Sequence, residues 1–117
     1  MGEARAETEK IIAAINANQK AQSILNAENW HVVFQFNLSD EDEPFYIEVQ
    51  GGEAMVVGGT HQNPTLLITG SGNSVARASR GQGDFTHSIS REEIEVKAGK
   101  VMELIRYGRA IAATLKK

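Results

Sequence analysis

Residues 30–50 read WHVVFQFNLSDEDEPFYIEVQ, and the period of this stretch decides what the chain can build. Val32, Phe34, Phe36 and Leu38 alternate with Val33, Gln35 and Asn37. Successive side chains of a strand point to opposite faces, so this spacing predicts a strand half-buried on its even-numbered side. The acidic run Asp40, Glu41, Asp42, Glu43 follows, and Asp40 with Pro44 suits a hairpin turn. Phe45, Ile47 and Val49 then alternate with Tyr46, Glu48 and Gln50, which predicts a second strand running back along the first.

Downstream, Gly51-Gly52 ends the second strand, residues 53–57 (EAMVV) give a third, and Gly58-Gly59 closes it. Two successive hairpins predict an antiparallel meander. Asn63-Pro64 introduces TLLIT, a fourth strand, and residues 71–80 fit a short helix capped by Ser71 or Asn73 and ended by Gly81 and Gly83. Residues 84–90 fit either a helical turn or a loop. Ile94 and Val96 mark a fifth strand, and Gly99 turns the chain into VMELIRYGRAIAATL. There Val101, Leu104, Ile105, Gly108, Ile111, Ala112 and Leu115 recur at helical spacing. Upstream, residues 3–28 hold no Gly or Pro and predict one long helix, or two joined near Asn16 to Asn18. Strand runs beside segregated helices make this an α+β chain: one domain over residues 1–117, with a mainly antiparallel sheet covered on one face by helices.

Composition narrows the function. Twelve Lys and Arg against fifteen Asp and Glu give a net charge of -3 without a basic block, which argues against nucleic acid as a partner. Cysteine is absent, so disulfides, thiolate metal sites and cysteine nucleophiles are excluded. The apolar runs are far shorter than the ~20 residues that span a bilayer, and the start MGEARAETEK lacks the apolar core of a secretion signal. Gly2 stands as in an acylation signal, but Ala6 occupies the place of its Ser or Thr, and the terminal LKK is not a peroxisomal tripeptide. The expectation is a cytoplasmic protein with no stable membrane insertion.

Chemistry-bearing patterns are few. GSGNSV at 70–75 places Gly70 and Gly72 between a strand and a helix, but Val75 stands where a phosphate-binding turn has its third glycine. His31, His61 and His87 lie in none of the spacings that bring two imidazoles to one metal, and the acidic run lacks the glycine of a calcium loop. The serines at 71, 74, 79, 88 and 90 are explained by turns and caps. An enzyme using Asp84, His87 or Tyr107 would need those groups to converge. No catalytic residue, metal or cofactor is therefore expected. The apolar faces Phe34, Phe36, Ile47, Val49 and Leu104, Ile105, Ile111 fit either an ordinary core or one holding an apolar cavity.

The runs WHVVFQFNL, PFYIEVQGGEAMVVGG, NPTLLITGSGNSVARASRGQGD and EIEVKAGKVMELIRYGRAI, taken in order, resemble the sterol carrier protein family, also called nonspecific lipid-transfer proteins. The shared plan is a first strand ending in FxF, a hairpin partner, a glycine-bounded third strand, and a strand opening a small helix. An IxVxG strand leading directly into a terminal helix completes it. The resemblance covers about residues 30–115. Two departures are the entry to the fourth strand, where the family commonly has Asp and this chain has Pro64 or Thr65, and the LKK terminus, which lacks the peroxisomal members' signal.

This resemblance implies a five-stranded sheet enclosing an apolar tunnel for a fatty acid, fatty acyl-CoA or sterol-like lipid, without catalysis. Phe34, Phe36, Ile47 and Val49 would form one wall, with Ile94, Val96, Met102, Ile105 and Ile111 opposite. Each buried CH2 is worth ~0.8 kcal/mol, so partial burial of an acyl chain suffices for micromolar affinity. Gly99 is the expected hinge for a gating terminal helix. The competing expectation is an interaction module with a collapsed tunnel, packing on a second copy or serving a lipid-metabolising enzyme. Replacing Ile105 with Glu is expected to abolish uptake of a fluorescent acyl chain while folding survives; equal loss of both would remove Ile105 from the tunnel wall.

Overall fold

The computed structural model describes residues 3–41 and 43–115. Gly2, Asp42 and the two terminal lysines, which figured in the acylation, acidic-run and targeting readings, lie outside the described residues. Helices α1 (Glu3–Asn16) and α2 (Gln19–Asn26) precede strands β1 (Val32–Leu38), β2 (Phe45–Gln50), β3 (Glu53–Gly58) and β4 (Leu66–Gly70). Helices α3 (Gly72–Ser79) and α4 (Phe85–Ser90), strand β5 (Ile94–Ala98) and helix α5 (Val101–Leu115) complete the chain.

The N-terminal segment is two helices because Asn18 is extended and its side chain accepts from the Ala21 amide at 3.0 Å, which starts α2 afresh. Ala4, Thr8, Ile11, Ile12 and Ile15 form the buried stripe of α1. Asn16, at its end, pairs with the outer edge of β3: its amide donates to the Ala54 carbonyl and accepts from the Ala54 N–H, both at 2.9 Å. One side chain thus satisfies backbone groups that an edge strand would otherwise leave open. Between β2 and β3 the two-residue loop Gly51-Gly52 has φ of 64° and 79°, the doubly left-handed geometry that a tight hairpin requires.

The sheet order is β3-β2-β1-β4-β5, with β1 and β4 parallel and the other pairs antiparallel. The meander therefore stops at β3, and the chain crosses back to place β4 beside β1. The connection lies over the sheet face opposite the helices, where Gln35 is buried. The Gln35 amide donates to the carbonyls of Phe45 and Gly59 at 3.2 Å, and its oxygen accepts from the His61 N–H at 2.8 Å. The His61 ring stands edge-on to Tyr46, with centroids 5.0 Å apart. At the entry to β4 the Thr65 hydroxyl accepts from the Val33 N–H at 3.0 Å.

Asp40, expected in a hairpin tip, reaches across to α3 and accepts from the amides of Gly72 and Asn73. The Gly72 hydrogen bond chiefly, with a smaller one from Asn73, holds its carboxyl below the usual carboxylate value. A depressed folded value means stabilisation that is present above the unfolded value, near 4, and is lost as pH falls through the folded value. Asp40→Asn, which keeps an acceptor but removes the charge, is therefore expected to cost ~0.3–1 kcal/mol in urea unfolding at neutral pH and low salt, with the gap closing in acid. A constant gap at all pH values would contradict the capping role.

Candidate functional site

Alternation and register together assemble one apolar sheet face. Phe34 lies opposite Ile47 and beside Leu66, Phe36 opposite Phe45 and beside Ile68, and Val49 between Val32 and Ala54. Ile68 pairs with Val96 and Gly70 with Ile94, which extends the same face to the far edge. All of these apolar side chains are buried except Val96, which is half-buried against the core.

Helix α5 meets this face through Leu104, Tyr107, Ala110 and Ile111. The Tyr107 ring lies between Phe34, with centroids 5.5 Å apart, and Phe85 of α4, at 5.8 Å. Trp30 stands edge-on to Phe34 at 6.1 Å, and Phe36 stacks on Phe45 at 5.1 Å. The helix is fastened at its outer side by Arg106, whose guanidinium lies 4.1 Å from the Trp30 ring centroid. Arg106 also donates to the Ile24 and Ala27 carbonyls at the end of α2, and the Trp30 indole N–H donates to Glu103.

Two openings flank α5. A groove of about 690 Å³ between α2 and α5 has a mainly apolar lining that includes Ile24, Ala27, Ala112 and Ala113, with Lys20, Glu28, Arg106 and Arg109 around it, and Arg106 is committed to the α2 carbonyls. On the other side, a cleft of about 240 Å³ is bounded by Ala78, Gly81, Phe85, Gly108, Ile111 and Leu115. Its lining is predominantly apolar, with Asp84 at the edge. Gly108 sits inside α5, where glycine costs ~0.5–1 kcal/mol relative to alanine. An added Cβ would lie 3.5 Å from the Phe85 ring, an ordinary contact, so packing does not demand glycine there. Its effect is to keep the cleft open down to Phe85, the side chain that separates it from Tyr107.

A scan of family models finds no match to this sequence, and a search of curated proteins finds no relative. Solved structures do match. The UbiJ-SCP2 ubiquinone synthesis protein superposes with a TM-score of 0.72 at 10% identity, covering 91% of this chain and 85% of that one. Sterol carrier protein 2 from Yarrowia lipolytica, in its apo form, gives 0.64 at 15% identity, covering 92% and 91%. Palmitated SCP2L2 from Aedes aegypti gives 0.62 at 18% identity, covering 88% and 92%. The fold is that of the sterol carrier proteins.

Within this sterol carrier fold, Phe34, Phe36, Ile47, Val49, Ile94 and Ile111 lie in the buried core between sheet and helices, with Val96 at its margin. Ile105 is half-buried. Met102 is placed differently from the expectation: it is 69% exposed in the first turn of α5 and does not face the sheet. Val101 and Leu115 are also exposed. The reason is the phase of the helix, which Leu104, Tyr107, Ala110 and Ile111 set and which leaves Met102 on the outer side. Gly99, expected as a hinge, has φ 92° and sits so close to β4 that a Cβ would be 2.4 Å from the Thr65 carbonyl oxygen. Its glycine is required by close approach of backbone.

Sequence reasoning missed Tyr107 as an interior residue and Phe85 as the floor of the cleft. The residues of the catalytic alternative have separate tasks: Asp84 caps α4 by accepting from the His87 N–H at 2.8 Å, while Tyr107 is buried. Among the described residues no helix is long and apolar enough to cross a membrane.

Proposed function

We propose that this chain binds, and transfers in the cytoplasm, a single hydrophobic ligand such as a fatty acid, fatty acyl-CoA or sterol-like lipid, without acting on it chemically. The observation that carries the reading is the apolar cleft held open at Gly108 and floored by Phe85, directly against the aromatic interior. At about 240 Å³ it is smaller than the ~300–1,000 Å³ usual for ligand sites. An acyl chain would therefore start in the cleft and advance between α5 and the sheet as Phe85 swings aside. Helix α4 is only six residues long, which makes it the element that moves. Phe34, Phe36, Ile47, Val49, Ile94, Val96 and Ile111 would then form the wall of the filled site, with Ile105 at its margin. The palmitated state of the Aedes aegypti protein supports an acyl chain as a ligand class for this fold.

An accessory role beside a lipid-metabolising enzyme or a second copy is supported by the adjacent exposed Val101 and Met102 at the start of α5. The similarity to a ubiquinone synthesis protein also supports it.

Two substitutions at Gly108 separate stability from uptake. Gly108→Ala is expected to raise unfolding free energy by ~0.5–1 kcal/mol, and Gly108→Leu to fill the cleft and lower affinity for a fluorescent acyl chain at least about tenfold. Undiminished uptake by the folded Gly108→Leu protein would place the entrance elsewhere.

A further inference from the structure

Tyr107 is the one described residue whose buried polar side-chain atom lacks a hydrogen-bond partner among the described residues. It is 1% exposed, with its ring held between Phe34 and Phe85, and Phe85 is also the floor of the cleft. Buried hydroxyls are normally paired, because removing one from water without a partner is costly. Phenylalanine would fill the same aromatic slot without that cost. An oxygen kept here without a protein partner is therefore available to something that enters the interior.

We propose that the Tyr107 hydroxyl is the polar determinant of ligand choice, and that it pairs with a neutral oxygen carried by the lipid. An alcohol, ketone or ester oxygen would be drawn past Phe85 to this position. This inference rests on the lipid-binding reading and narrows it to neutral oxygenated lipids whose oxygen enters first.

The surroundings favour a neutral oxygen over an ionised one. Phe34 and Phe85 flank the ring, and an ionised carboxylate would lose its hydration there for a single hydrogen bond. Burial alone pushes the Tyr107 hydroxyl far above its ordinary value, so it stays protonated and can donate. A fatty acid would then bind with its carboxylate at the cleft mouth and its methyl end inward, leaving Tyr107 unpaired, and would gain nothing from this hydroxyl.

The test compares dodecan-1-ol with dodecane, each competing against a fluorescent acyl probe, on the wild-type chain and on Tyr107→Phe. The alcohol-to-hydrocarbon affinity ratio is expected to be roughly five- to tenfold higher in the wild type than in Tyr107→Phe, the worth of one buried hydrogen bond, the alcohol's loss of water being common to both. Tyr107→Phe should weaken dodecan-1-ol by that factor while binding dodecane as before and resisting urea at least as well. Tyrosine near-ultraviolet absorption should shift when the alcohol binds the wild type and stay unchanged with dodecane. An alcohol-to-hydrocarbon ratio that is the same in the wild type and in Tyr107→Phe would overturn the role of Tyr107 and leave lipid binding standing. Failure of both compounds to displace the probe, or of the probe to bind at all, would overturn the lipid-binding reading and this inference with it.

Discussion

The parallel pairing of β1 with β4 is the constraint on which the rest of the molecule depends. Antiparallel neighbours can be joined by a two-residue turn, but parallel ones need the chain to be carried back along its own length. Here β2 carries the chain back and β3 carries it forward again, so the connection over residues 59–65 makes the full return, across the sheet face opposite the helices. It holds there because Gln35, an otherwise misplaced polar side chain, is satisfied by Phe45, Gly59 and His61. A buried amide with several partners is stabilising, and the same amide with one removed is a liability. With the outer face crossed by this connection, α1, α2 and α5 are left to the inner face.

From that arrangement the character of the interior follows. β1 lies at the centre of the sheet, so Phe34 and Phe36 are flanked on both sides and cannot turn away from the helices. Helix α5 completes the enclosure with a tyrosine at the deepest point and a glycine one residue later. Two choices there run against pure stability: an unpaired hydroxyl inside, and a helix-weakening residue at the rim of a cleft. Departures of this kind from local consistency concentrate where a protein does its work. The polar fastenings of α5, through Arg106 on Trp30 and on the end of α2, lie on its other side and leave the cleft unobstructed.

Much of this was legible in the residue order, and the parts that were not have physical causes. The five strands were readable because period-two alternation is a local signal, whereas residues 3–28 left one helix or two open until the Asn18 cap decided for two. The position of β4 was not, because pairing between residues some thirty positions apart leaves no mark on either segment's own period. In α5 the apolar candidates exceed one face, and the stripe read through Val101, Leu104, Ile105 and Gly108 left Tyr107 out. Met102 was placed on the wall by the family resemblance and not by this stripe, and its exposure follows from the phase that the packed helix adopts. Asp40 looked like a turn residue because its partners, the amides of Gly72 and Asn73, are supplied by topology. The short α4, with Phe85 at its first position, is too brief to show a period at all.

The central claim is that the space between the sheet and α5 accommodates one lipid. Native mass spectrometry of the purified protein, followed by organic extraction and identification of what is released, tests it most directly. The account predicts close to one lipid per chain, or stoichiometric uptake when an acyl chain is added. A protein that stays at its bare polypeptide mass, before and after that addition, would contradict it.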